Sequence, residues 1–280
     1  MIKNSNQSGF SEEVRQGKRF KFGANWCAFL SSVNEKHITA AENSLRALLG
    51  INDFEGLNFL DLGSGSGIVS LAAKRLGAKV HSIDYDPQSV ACTKELKKRY
   101  YPDDDRWTIA EGSALDEDYL QSLGKFEVVY SWGVLHHTGN LKKALDNALI
   151  PVCSNGLLAI AIYNDQGSIT NFWKKVKGFY CANQVTRLLV KILFIPWFFG
   201  QAVVFGLIKY KNPWKYFNEY KKNRGMSVYY DWIDWLGGYP FEVAKPEEIF
   251  RKYQKNGYLL ENLITTNKMG CNQYVFRKNF

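Results

Sequence analysis

Phe59-Leu60-Asp61-Leu62-Gly63-Ser64-Gly65-Ser66-Gly67 is the stretch that decides how this chain folds. A short apolar run carries an acid, three glycines alternate with serines, and an apolar, helix-like run follows over residues 68–76. Strand, glycine-rich turn and helix make the first unit of a doubly wound α/β sheet, in which ligands lie beyond the carboxyl ends of the strands. Gly63, Gly65 and Gly67 can take positive φ and bring backbone against a ligand with no Cβ in the way. The helix that starts beyond Gly67 offers unpaired N–H groups to the same ligand. Asp61, at the strand end, can hold an ammonium group or orient the loop.

The spacing separates two cofactors. A dinucleotide fingerprint reads G-x-G-x-x-G, but here the third glycine comes one residue early and Ile68 stands in its place. The pattern D-x-G-x-G-x-G resembles motif I of the class I S-adenosylmethionine (SAM)-dependent methyltransferases. That resemblance implies SAM as cofactor and S-adenosylhomocysteine as product, with Asp61, Gly63, Ser64, Gly65 and Gly67 around it. It also implies an α/β fold with a Rossmann-like seven-stranded sheet, an antiparallel C-terminal hairpin, and N-terminal helices covering the cofactor. A turn that only reverses the chain is the plainer reading.

The next strands supply further candidates. Val80-His81-Ser82-Ile83-Asp84 reads as the second strand, and its terminal acid suits the ribose hydroxyls of a nucleoside. Tyr85 then places a ring near the adenine. Asp86 and Pro87 open a helix as N-cap and first residue, which accounts for Asp86 without a ligand. The third strand, residues 107–110, leads to Glu111-Gly112-Ser113-Ala114. In the family an acid after this glycine accepts the adenine amino group; here Ser113, with Ala114 beside it, offers a hydroxyl instead, or is a plain loop serine.

The fourth strand, residues 126–132, ends at Trp132, a further cofactor-side candidate, and runs into Gly133-Val134-Leu135-His136-His137. This segment resembles the post-strand motif of the small-molecule branch of the family, which includes quinone-biosynthesis enzymes. His136 or His137 is the candidate general base for a hydroxyl acceptor. Adjacent side chains diverge, so at most one faces the methyl group. A fifth strand, residues 157–163, follows a Ser154-Asn155-Gly156 turn, and Tyr163 and Asn164 at its end are placed to orient the acceptor. Asn25 and Trp26, in the N-terminal helical region, are placed to close over the site, although Trp26 is equally a core anchor.

Four segments follow. Residues 1–50 are an arm, loose to about residue 22, and two cap helices broken near Asn34. Residues 51–167 are the SAM-binding core, 168–244 a helical insertion between strands five and six, and 245–280 a helix and two closing strands. The net charge of +9 is concentrated: residues 171–224 hold eleven lysines and arginines and one acid, Glu219. From 192 to 208 the only strongly polar side chain is Gln201, a length that approaches a membrane span. A single crossing would strand the closing strands across the bilayer. Two readings stay open. In one, lysines flank an apolar face that lies on a membrane through residues 188–215, or grips a lipid-linked substrate. In the other the insertion is a buried helical lid or a contact between two copies in a homodimer.

Residues 229–242 are dense in aromatics and acids. Tyr229, Asp231, Trp232 and Tyr239 are candidates to line the acceptor pocket, since aromatic walls with a few polar groups make small-molecule sites. Asp231 and Asp234 share a helix face, which is also what a solvated helix shows. The five scattered cysteines contain no C-x-x-C pair, so neither a zinc site nor a disulfide framework is expected. That usage and an N-terminus without an apolar core fit a reduced cytoplasmic setting, with membrane association at the inner face in the first reading of the insertion.

The expected function is methyl transfer from SAM to a hydroxyl of a small-molecule acceptor, a sugar or glycan precursor or a lipid-linked molecule, with the basic insertion suiting phosphate. An N-methyltransferase and a quinone-type enzyme are the alternatives within the class. A nucleic-acid enzyme is disfavoured, because no N/D-P-P-Y-type motif follows strand four and the lysines alternate with large apolar runs. A non-catalytic SAM-binding protein would show affinity without turnover.

Overall fold

The computed structural model describes residues 5–224 and 228–279. Three helices come first: α1 (Ser5–Arg15), α2 (Gly23–Leu30) and α3 (Glu35–Leu49). The arm expected to be loose is therefore helical over Ser5–Arg15, with residues 1–4 outside the described residues. Asn34 divides α2 from α3, and its side chain accepts hydrogen bonds from Lys36 N and His37 N as the N-cap of α3.

The core then alternates strand and helix: β1 (Asn58–Leu62), α4 (Ile68–Arg75), β2 (Lys79–Asp84), α5 (Pro87–Tyr100), β3 (Trp107–Glu111), α6 (Glu117–Ser122), β4 (Phe126–Trp132), α7 (Leu141–Asn147) and β5 (Val152–Tyr163). Four helices form the insertion: α8 (Ser168–Ala182), α9 (Gln184–Tyr210), α10 (Pro213–Arg224) and α11 (Val228–Gly237). Then α12 (Pro246–Lys255), β6 (Tyr258–Ile264) and β7 (Cys271–Lys278) close the chain. The seven strands lie in the order β3-β2-β1-β4-β5-β7-β6. β1 to β5 are parallel, and β7 pairs antiparallel with both β5 and β6. The order reverses between β1 and β4, so a crevice opens above Asp61, Asp84 and Trp132.

Alternation along the strands builds a core on each face of the sheet. Leu60 and Leu62 point to one face with Leu145, Ile249 and Tyr253 from α7 and α12. Phe59 and Tyr130 point to the other with Ile38, Leu71 and Leu96 from α3, α4 and α5. The expected turn at Ser154-Asn155-Gly156 is instead a bulge inside β5. Asn155 takes φ 59°, and β5 advances from Val152 to Leu157 while β4 advances from Phe126 to Val128. The surplus residues bow outward without ending the strand.

The insertion packs through a third cluster, Trp173, Tyr180, Val190, Leu236 and Phe241. Within α9, however, only Val190, Ala202 and Gly206 are buried. The buried-lid reading is thus corrected for α9: most of its apolar side chains face outward.

Candidate functional site

The glycine turn is held open by hydrogen bonds that its neighbours complete. Gly63 N and Ser64 N both donate to Ile83 O, at 2.8 and 3.0 Å, which ties the turn to β2. Gly65 N donates to Asp84 Oδ2 at 2.9 Å, and Asp86 N donates to Asp84 Oδ1 at 2.8 Å. Two glycines are required by geometry. A Cβ on Gly63, at φ 97°, would come within 2.3 Å of Val134, and one on Gly65, at φ 55°, would come within 3.1 Å of the Trp26 indole. Gly67 caps α4 at φ 81° and packs on Thr93, so it shapes the turn without lining the crevice.

Behind the turn a directed chain of donors ends on Asp61. Trp107 Nε1 donates to Ser82 Oγ at 2.9 Å, and Ser82 and Ser70 hydroxyls lie 2.7 Å apart. Ser70 donates to Asp61 Oδ2 at 2.5 Å. Burial nevertheless dominates and pushes the Asp61 carboxyl up to about 7, against the Ser70 bond that lowers it. Asp84 is likewise pushed by burial up to about 6. Two desolvated carboxylates facing one crevice favour a ligand that brings a cation and hydroxyl donors.

The crevice opens into a cavity of about 1060 Å³. Asp61, Gly63, Ser64, Gly65, Asp84, Tyr85, Ser113, Ala114 and Trp132 line it, as do Trp26, Tyr163, Asp231 and His137. Ser64 spends its hydroxyl on Thr93 at 2.9 Å. Ser113 Oγ accepts from Leu115 N at 3.1 Å, a loop contact that leaves the hydroxyl proton available.

Other sequence candidates stand elsewhere. Asn25 does not line the cavity; it donates to Asp234, which does. Asn164 serves the fold, donating to Thr266 O at 3.0 Å and accepting from Asn272 at 3.1 Å. Trp232 packs on Phe198 with centroids 5.8 Å apart, Tyr239 accepts from Phe20 N through its carbonyl, and Tyr229 is exposed. These three are corrected as cavity residues: the Trp232 ring packs on α9, the Tyr239 ring lies beside Gly178 of α8, and the Tyr229 ring faces outward.

The two histidines separate cleanly. His136 is fully buried behind the cavity, where its Nδ1 accepts from Tyr163 N at 3.3 Å and burial holds it well below the ordinary imidazole range. It is corrected as a base. His137 reaches the cavity, and its Nδ1 lies 2.6 Å from Pro240 O. A carbonyl can only accept, so Nδ1 carries the proton and Nε2 the lone pair. Burial pushes His137 down to about 3, partly offset by the Pro240 bond, so the ring is neutral but weakly basic. His136→Ala is expected to cost about 2–4 kcal/mol of stability by leaving a cavity, read as a lower Tm, while the pH dependence of turnover stays as in the wild type.

Several lining residues escaped the sequence reading. Arg19 binds the arm down: it donates to His137 O at 2.8 Å and to Thr138 O at 3.1 Å, pairs with Glu13, and lies 5.0 Å from the Tyr85 ring centroid. Phe10 meets Tyr85 edge-on at 5.5 Å. A polar arm without period gave no signal for this. Asp234 was noted only as a helix-face partner of Asp231. Burial pushes its carboxyl up to about 7, with the Asn25 bond lowering and Asp231 raising it.

The residues fit SAM. Asp61 would receive the ammonium group, the glycine turn would take the amino-acid end, and Asp84 would accept from the ribose hydroxyls. Tyr85, Ser113 and Ala114 would border the adenine.

Residues 60–158 match the family model described as a methyltransferase domain. The chain is 31% identical over 130 residues to a ribosomal protein L11 methyltransferase of Dictyoglomus thermophilum, covering 41% of this chain and 43% of that protein. It is 26% identical over 141 residues to a ubiquinone biosynthesis O-methyltransferase of Nitrobacter winogradskyi, covering 50% of this chain and 49% of that protein. The chain thus spans about half, or less, of the curated relatives it matches. Its fold is similar to that of a magnesium protoporphyrin IX methyltransferase from Synechocystis solved with S-adenosylhomocysteine bound. The TM-score there is 0.51, at 14% identity over 88% of this chain and 89% of that one. It is similar also to an O-methyltransferase family protein from Burkholderia thailandensis, with TM-score 0.53, at 12% identity over 98% of this chain and 68% of that one. At these identities the likeness to the solved structures is one of fold. The glycine turn, the strand order and the matched segment agree: residues 60–158 are similar to a methyltransferase domain, and the fold is like that of a methyltransferase solved with S-adenosylhomocysteine bound.

Proposed function

We propose that the chain transfers a methyl group from SAM to a hydroxyl of a small-molecule acceptor, with Asp234 as the general base. SAM supplies an activated methyl on sulfonium, so the protein's task is to align the acceptor and remove its proton. The observation that carries this reading is a half-buried carboxylate on the cavity wall, held by Asn25 and raised toward neutrality by desolvation. Trp132, Tyr163 and Phe22 wall the same space with apolar rings. His137 Nε2 offers a further acceptor for the hydroxyl proton.

The cavity's charge narrows the acceptor. Among the described residues none of the insertion's lysines lines it; its cations are Arg19 and Lys143, against acids that include Glu13, Asp61, Asp84, Asp231 and Asp234. The reacting end of the acceptor is therefore neutral or cationic, and a phosphate, if the acceptor carries one, stays outside. The same acid-rich wall is the observation that favours the second reading, an amine acceptor.

Labelled methyl transfer from SAM decides between them, run against sugar nucleotides, polyprenyl-linked sugars, hydroxylated ring compounds, amines and ribosomal protein L11. Label on a hydroxyl oxygen is the expected result. Label on an amine or on L11, or SAM binding without transfer to any of them, would overturn the proposal.

A further inference from the structure

We propose that the insertion docks this protein on an anionic lipid bilayer, with α9 lying in the plane of the interface. Leu189, Leu193, Trp197, Val204 and Ile208 recur at three- and four-residue steps through Gly200, so they form one helical face. Leu193 is 67% exposed and Ile208 78%. Only 11% of the most apolar stretch of α9 is buried. A shallow apolar depression runs along this face between Pro196 and Ile208, floored at Gly200 and open to the outside. Monomeric proteins rarely leave contiguous apolar patches beyond a few hundred Å² uncovered.

Charge identifies the occupant. Neither α8 nor α9 carries an acid. Arg187 flanks the start of the face, and Lys209, Lys211 and Lys215 flank its end, all exposed. Trp214, 66% exposed, sits among those lysines, as suits a ring at the headgroup level. A second copy of the chain would bring the same dense positive charge to the contact, which opposes self-association. An anionic leaflet satisfies both the apolar face and the lysine rim.

The helix lies on the surface and does not span. Its first half packs on α8, with Trp173 5.4 Å from Phe194 and 6.3 Å from Phe198. Its second half packs on α10, where Phe205 meets Tyr216 at 5.4 Å and Gly206 lies against Pro213. A span would strip both contacts. The inward side of the same helix backs the acceptor site: rings run from Phe198 through Trp173 and Trp235 to Tyr163, at 6.3, 5.3 and 6.0 Å.

Flotation of the full chain with vesicles tests this without SAM or turnover, so its failure leaves the methyl-transfer proposal standing. The protein is expected to float with phosphatidylcholine–phosphatidylglycerol vesicles, less with phosphatidylcholine alone, and less as salt rises. Leu193→Gln and Ile208→Gln are each expected to weaken vesicle binding by about tenfold or more. Replacing Lys209, Lys211 and Lys215 together by Gln should weaken it by about a hundredfold. Unchanged circular dichroism and SAM affinity would show that these variants still fold. The proposal fails if the intact chain stays with the dense fraction, if the folded variants float as well as the wild type, or if sedimentation finds a dimer that vesicles do not dissociate.

Discussion

Asp234→Asn is expected to lower turnover by about 10²- to 10⁴-fold, the usual contribution of a positioned general base, with SAM affinity unchanged. The substitution keeps the side chain's shape and an oxygen for the Asn25 donor, so it removes a proton acceptor and little else. A pH profile separates this from a structural effect. Burial raises the carboxyl to about 7, the Asn25 bond lowers it, Asp231 raises it and Lys177 lowers it. A base works when ionised, so wild-type turnover should climb as pH rises through about 7 and then level. In the Asp234→Asn variant that limb disappears. Asn25→Ala removes the bond that stabilises the ionised form, and the limb should move to higher pH. A variant that keeps its rate to within about threefold, with the limb in place, would show that the proton goes elsewhere.

What was legible in the sequence was local. Residues 57–67 put an acid, three glycines and a helix start within one turn of each other, and that juxtaposition survives folding whatever the rest of the chain does. Asp84 was readable for the same reason: an acid that ends a short apolar strand has one place to point. The strand order followed from the family that these residues resemble. The acceptor side was harder because its contacts cross the chain. Asn25 and Asp234 meet across 209 positions, and Arg19 reaches His137 across 118. His136 and His137 are indistinguishable in sequence; the short helical turn at Leu135–His137 buries one and presents the other. Trp232 and Tyr239 misled because aromatic density marks a core as readily as a pocket, and Tyr229 because it marks an exposed helix face too. Here the outward-facing insertion supplied the competing core.

Asp84→Ala is expected to weaken SAM binding by about 30- to 150-fold, measured by calorimetry, from charged hydrogen bonds worth about 2–3 kcal/mol. The carboxylate has room for the task. An ionised carboxylate offers about four lone-pair sites; Gly65 N and Asp86 N take one on each oxygen, and the remaining ones are free for ribose hydroxyls. The same two amides explain why the amide isostere is no rescue. In Asp84→Asn an NH₂ group must replace one oxygen, and it then confronts either the Gly65 or the Asp86 N–H, donor against donor. Its loss of affinity should approach that of the alanine variant, whereas a residue needing only one neutral acceptor oxygen there would show a smaller loss. Burial lifts the Asp84 carboxyl to about 6, the two backbone bonds working against it. Ribose hydroxyls bind the ionised form better, so SAM affinity in the wild type should fall as pH drops through about 6, and Asp84→Ala should flatten that fall. Affinity within about threefold of wild type in the alanine variant would detach the second strand's acid from the cofactor. A lower Tm without weaker binding would leave it only the holding of the glycine turn.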